Sequence, residues 1–123
     1  MNKRALAAVI DDDVSSRESL PDFLRALGFK AVAFTSAEEF LTSDVLTETQ
    51  CLILAVSMPA MSGPDLQSEL SRRELSIPII FMTAHFDQQL RADLIARGAV
   101  DCLFKPLNDR ELLSALNRAA GTA

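Results

Sequence analysis

Cys51-Leu52-Ile53-Leu54-Ala55-Val56-Ser57-Met58-Pro59 is a nearly unbroken apolar run that empties into a loop at Ser57 and Pro59. A run of that length without polar alternation predicts a β-strand covered on both faces. Runs of the same kind recur on either side of it, at residues 5–10, 31–34, 77–82 and 99–104. Amphipathic stretches separate them. Ser15 or Ser16 is the expected cap of a first helix carrying Leu20, Phe23, Leu24 and Leu27, with Gly28 as its stop. Pro21 is out of place there, because it removes a helical hydrogen bond and predicts a kink. Ser36 and Glu39 have the spacing of a capping box for a short second helix through Phe40 and Leu41. Gly63-Pro64 opens a third helix with Leu66 and Leu70 inward, proline suiting the first turn. Leu90, Leu94 and Ile95 mark the apolar face of a fourth, which Gly98 stops. Asn108 or Asp109 caps a fifth, lined by Leu112, Leu113, Leu116 and Ala119. Five strands alternating with five helices predict an α/β domain: an open, doubly wound parallel sheet with right-handed crossovers.

The 123 residues fit one domain, spanning 1–123, with no repeat or low-complexity stretch. Hydrophobic residues make up 49% and charged residues 24%, which suits a globular fold with its own core. The net charge of -5 argues against direct contact with nucleic acid, whose phosphates call for a basic face. No apolar run approaches the about 18 residues of a membrane span. The opening Met1-Asn2-Lys3-Arg4-Ala5 is followed too soon by Asp11 to hold a signal peptide. With no secretion signal, Cys51 and Cys102 are expected as buried free thiols in a reducing, cytoplasmic setting. The tail from Ala119 to Ala123 reads equally as a natural end or as the start of a linker.

In doubly wound sheets, ligands bind beyond the carboxyl ends of the strands. The chemistry-bearing residues of this chain stand there. Asp11, Asp12 and Asp13 follow the first strand, Ala55 ends the third, Thr83-Ala84 closes the fourth and Lys105-Pro106 closes the fifth. Adjacent carboxylates repel unless a cation lies between them, and hard oxygen donors suit Mg²⁺. A lysine at a strand end presents a point charge to a phosphoryl oxygen, and a threonine hydroxyl a second donor. By themselves these residues also fit a solvated acidic loop, a surface lysine and a threonine chosen for β propensity. Their positions at four strand ends favour one shared site. His85, the only histidine, has no second His or Cys at metal-ligand spacing and reads as a loop residue.

Five stretches in order, Ile10-Asp11-Asp12-Asp13, Ser57-Met58-Pro59-Ala60-Met61-Ser62-Gly63, Thr83-Ala84-His85, Gly98-Ala99-Val100-Asp101 and Lys105-Pro106, resemble the receiver domain of two-component response regulators. The match runs from about Ala7 to Ala119 and looks most like the subgroup that often carries a helix-turn-helix output domain. The resemblance implies a flavodoxin-like sheet of order 2-1-3-4-5. It implies a phosphorelay role in signal transduction, with a histidine kinase or histidine phosphotransfer protein as donor and no enzyme activity of its own. It assigns Mg²⁺ to Asp12 directly, to Asp11 through water and to the Ser57 carbonyl. Thr83 becomes the switch hydroxyl, with Ala84 beside it, and Lys105 the phosphate-binding lysine before a cis proline. Pairing of two copies through helix 4, strand 5 and helix 5 is implied too, with Arg91, Arg97, Asp101 and Arg110 as interface charges.

Two residues depart from that pattern. The family's phosphoacceptor aspartate is replaced by Ala55, whose methyl group has no lone pair to attack phosphorus. Its loss also removes a metal ligand, so Mg²⁺ affinity is expected to fall. Cys102 stands where the family has an aromatic switch, and Phe104 faces the same side without taking the same place. The retention of Asp11, Thr83 and Lys105 favours a deliberate Asp-to-Ala substitution over a natural pseudo-receiver that binds partners without phosphate. An enzyme reading also exists. Asp11-Asp12-Asp13-Val14-Ser15 loosely resembles the loop of haloacid-dehalogenase-like phosphatases, with Asp11 as nucleophile and Asp13 as general acid. No later acidic pair completes that metal site, and the chain is short for a cap.

Overall fold

The computed structural model describes residues 5–120; residues 1–4 and 121–123, including most of the opening stretch and of the tail considered above, lie outside them. Five strands, β1 (Leu6–Ile10), β2 (Lys30–Phe34), β3 (Thr49–Ala55), β4 (Ile79–Thr83) and β5 (Asp101–Phe104), form one sheet in the order β2-β1-β3-β4-β5. All neighbouring pairs are parallel. Four α-helices link them, α1 (Val14–Ala26), α2 (Ala37–Leu41), α3 (Gly63–Arg72) and α4 (Gln88–Ala96), and α5 (Asp109–Ala119) follows the last strand. The flavodoxin-like architecture expected from the sequence is the one observed. A short 3₁₀ turn at Leu46–Glu48, which the pattern did not reveal, leads into β3.

Strand alternation divides the core between two faces. Ala7, Val9, Cys51, Ile53, Ile80, Met82 and Leu103 pack against Leu20 and Leu24 of α1 and Leu112, Ala115 and Leu116 of α5. Ala8, Ile10, Leu52, Leu54, Ile79, Phe81 and Cys102 pack against α2, α3 and α4 through Phe40, Leu66, Leu70 and Leu94. Both faces of the central strands are therefore dry, which is why their sequences are unbroken apolar runs. Both cysteines are free and buried, as expected. Burial pushes the Cys51 thiol up to about 12, and burial together with the Asp101 carboxylate pushes Cys102 up to about 11.

Local chemistry moved several boundaries. The cap of α1 is Asp13, not Ser15 or Ser16; its Oδ1 accepts from the Ser15 N–H at 3.1 Å and the Ser15 hydroxyl at 2.9 Å. The helix continues through the buried Pro21 to Ala26. Ser36 caps α2 by accepting from Glu39 N–H, but the Glu39 carboxylate returns to the Thr35 N–H at 2.7 Å, so the expected capping box is only half made. The complete box belongs to α3, where Ser62 and Asp65 bond each other's backbone N–H, a Ser-x-x-Asp spacing the sequence reading passed over. Pro78 has no N–H for the ladder, and β4 begins one residue later. Ala99 gives its N–H to Leu94 to close α4, and β5 begins after it. Gly28 (φ +100°) and Gly98 (φ +107°) end α1 and α4 in the left-handed region, as expected. Ile95 and Leu113, assigned inward, are exposed instead, and Ala115 takes the inner place on α5.

Candidate functional site

The register of the sheet brings the four segments to one rim. Ile10 pairs with Leu54, so Asp11 leaves β1 beside Ala55. Ala55 pairs with Met82, and Thr83 with Phe104. The Lys105 N–H donates to the Thr83 carbonyl at 2.8 Å, which carries the ladder one step past β5. Asp11, Ala55 and Thr83 are all buried, at 1%, 4% and 7% exposure. The Lys105–Pro106 peptide is cis, as the resemblance implies.

Charge at the rim is satisfied internally. Lys105 Nζ donates to Asp11 Oδ2 at 2.7 Å and reaches Asp13 Oδ2 at 3.4 Å. Asp11 Oδ1 accepts the Asp13 N–H at 3.0 Å, and the Asp11 carbonyl accepts from the Arg17 guanidinium at 3.1 Å. Burial works against the Lys105 ammonium, but the Asp11 and Asp13 carboxylates more than offset it and raise its pKa above the ordinary lysine value. The Ser15 hydroxyl and N–H, and then Lys105, hold the Asp13 carboxyl below the usual range. Asp12 points outward and is exposed, as are Ser57 and Ala84. Thr83 Oγ1 accepts the His85 N–H at 3.2 Å, so the hydroxyl is turned into its own loop.

The loop after β3 is held tightly against the strand end. Gly63 donates its N–H to the Val56 carbonyl at 2.9 Å. A Cβ at Gly63 would run into the Ala55 carbonyl oxygen and approach a Phe81 ring carbon to 2.9 Å, so only glycine fits. Cys102 lies inside the sheet's α3–α4 face. The aromatic at the rim is Phe104, whose ring stands 4.6 Å from that of the exposed Phe86 in the β4–α4 loop. Phe86 and Arg17 were not expected at the rim, nor was the contact of Lys105 with Asp13. The even spacing of the acids held no signal for which one turns in; the phenylalanine directly after Thr83-Ala84-His85 was a usable one.

On the α4–β5–α5 face, Asp101 is buried and gripped from two helices. Arg91 and Arg118 each approach one of its carboxylate oxygens at 3.0 Å. Arg97 is bonded to the Pro64 carbonyl and the Ser68 hydroxyl, while Arg110 is exposed. Three of the four charges expected at an interface are thus engaged within the chain. Burial raises the Asp101 carboxyl, but bonds from Arg118, the Cys102 N–H and Arg91 outweigh it and hold the pKa below the ordinary carboxylate value. A lowered folded-state pKa contributes stability that is complete above the unfolded value of about 3.9 and is lost as pH falls through the folded one. Asp101→Asn is therefore expected to melt below the native chain at pH 7, the gap closing as melts are repeated towards pH 3. A gap that stays constant with pH would contradict this.

Parallel doubly wound topology and an acid–lysine rim beside a buried strand end define a phosphoryl-signalling domain in outline. The chain matches the response regulator receiver domain over residues 7–117 and belongs to that family. Nodulation protein W of Bradyrhizobium diazoefficiens is 45% identical over 92% of the chain, and the transcriptional regulatory protein TdiR of Thauera aromatica 40% over 90%. The chain spans about half the length of these curated relatives, 50% and 49%. A solved receiver protein from Burkholderia phymatum superposes with a TM-score of 0.81 at 36% identity, covering 98% of each chain. Among the described residues no helix is long and apolar enough to cross a membrane.

Receiver domains generally bind Mg²⁺ at the acceptor site. The donors present here do not fit a resident Mg²⁺ ion. Both Asp11 oxygens are committed, Asp12 faces solvent, and the carboxylate from β3 is a methyl group. Among the described residues no three His, Cys, Asp or Glu side chains are grouped to hold a metal.

Proposed function

We propose that the chain is a two-component receiver module that cannot take a phosphoryl group, because Ala55 occupies the acceptor position. The observation that carries this is the placement of Ala55: a 4%-exposed methyl group directly beside Asp11, on the rim that Lys105 and Thr83 share. Its parent would carry aspartate there, the alanine being an introduced substitution in a pocket otherwise kept. That parent would receive phosphate from a histidine kinase or histidine phosphotransfer protein in the cytoplasm and pass the signal to a transcriptional output, as the relatives' names suggest. Pairing through α4, β5 and α5 belongs to the same reading, with Arg110 as the exposed charge on that face. On this reading the module has no enzyme activity of its own, and Asp11, the nucleophile of the phosphatase alternative, serves instead as the partner of Lys105. Mg²⁺ would be held weakly.

A natural pseudo-receiver is the second reading. Cys102 in place of the aromatic switch and the closed Lys105–Asp11 pair both favour it. In that case partner binding would be independent of phosphate.

Acetyl phosphate with Mg²⁺ is expected to leave the mass of the Ala55 chain unchanged. Ala55→Asp is expected to gain one acid-stable, base-labile phosphoryl group. A phosphorylated Ala55 chain, or an Ala55→Asp protein that stays unmodified, would overturn the assignment of position 55. The natural codon at that position separates the two readings.

A further inference from the structure

We infer that Lys105 is the resident cation of this pocket, so that its ammonium group fills the charge-balancing role and keeps divalent metal out. The inference rests on the reading of Ala55 as the emptied acceptor position and goes beyond it.

The Asp11 carboxylate is 1% exposed, and burying such a group is costly unless it is paired and hydrogen-bonded. Lys105 Nζ supplies the pairing through a short charge-assisted hydrogen bond of 2.7 Å. The other Asp11 oxygen accepts the Asp13 N–H, and the Asp11 carbonyl is held by Arg17. A metal approaching Asp11 must therefore displace an ammonium group that cannot diffuse away, because the chain tethers it. Mg²⁺ also sheds its water reluctantly, and gains little where one outward carboxylate, Asp12, is what remains. With a carboxylate at position 55 the lysine would have a third acid to pair with. With a methyl group there, its carboxylate partners are Asp11 and Asp13.

The same bond has a structural effect. Asp13 caps α1 with one oxygen and faces Lys105 with the other. Lys105 thereby joins the end of β5 to the end of β1 and the first turn of α1, across 94 residues of sequence. The phosphorylation pocket becomes a fixed brace between three elements.

The test is thermal melting of three proteins with MgCl₂ against NaCl of equal ionic strength. The native chain is expected to show no Mg²⁺-specific shift at about 10 mM, a concentration that raises Tm by about 5 °C for a site of millimolar affinity. Lys105→Met, which leaves Ala55 in place, is expected to gain such a shift, and Lys105→Gln serves if the first variant does not fold. Broadening of the amide signals of Asp11, Asp12 and Asp13 by Mn²⁺ should follow the same pattern. A Mg²⁺-specific rise in the native chain overturns the inference, as does a folded Lys105 variant that remains insensitive. Ala55→Asp is the third protein. If it acquires both Mg²⁺ binding and a phosphoryl group while the Lys105 variant stays silent, the reading of position 55 survives and this inference fails. If Ala55→Asp acquires neither, the reading of position 55 is at fault.

Discussion

Gly63→Ala is expected to lose about 3 kcal/mol of stability, the cost of forcing atoms into a packed interior that cannot yield. The first obstacle is the Ala55 carbonyl oxygen, which belongs to the strand backbone and cannot rotate aside. The second is the Phe81 ring, which is fully buried in the α3–α4 face. Relief would require α3 to lift from the end of β3, breaking the 2.9 Å bond from the Gly63 N–H to the Val56 carbonyl. Urea unfolding monitored by circular dichroism would measure the loss as a lower midpoint with an unchanged slope. Adding Phe81→Ala should not rescue the variant, since the backbone obstacle remains. A Gly63→Ala protein within about 0.5 kcal/mol of native, the range of ordinary surface changes, would refute the close approach.

Ala55→Asp is expected to be less stable than the native chain when no metal is present. The new carboxylate would enter a 4%-exposed position beside a 1%-exposed one, with one ammonium group to serve both. Like charges so placed make each other harder to ionise, and a tenfold loss of acidity corresponds to about 1.4 kcal/mol. Sharing Lys105 offsets part of this, leaving a net loss of about 1–2 kcal/mol, or a fall in Tm of about 5 °C. Melts in EDTA should reveal the fall, and added Mg²⁺ should reverse it. An Ala55→Asp protein that melts at or above the native temperature in EDTA would contradict the crowded pocket.

The sheet was legible because its strands are covered on both faces. Unbroken runs such as residues 51–56 and 79–82 leave little room for another reading, and Gly28 and Gly98 marked where helices had to stop. The rim was legible for the same reason, since acids, alanine, threonine and lysine each follow a run. What lies between neighbours was not. Asp11, Asp12 and Asp13 are equivalent in sequence, and competition decides among them. The last ladder step buries Asp11, the helix needs Asp13 as its cap, and Asp12 is left outside. Ile95 and Leu113 sit at the edges of their helices' apolar arcs, where a small rotation decides exposure. The partner of Lys105 lies 94 residues away in the chain, so no local pattern could have named it.

The grip of Arg91 and Arg118 on Asp101 commits both arginines within the chain. An incoming acidic group that recruits either arginine leaves a sunken carboxylate without one of its three donors, so attraction on one side is offset by loss on the other. Association through that surface therefore begins with a handicap, and a visitor must replace the lost contact before it gains a new one. Such a surface would discriminate by geometry rather than by charge alone, favouring acidic partners that bring a donor of their own.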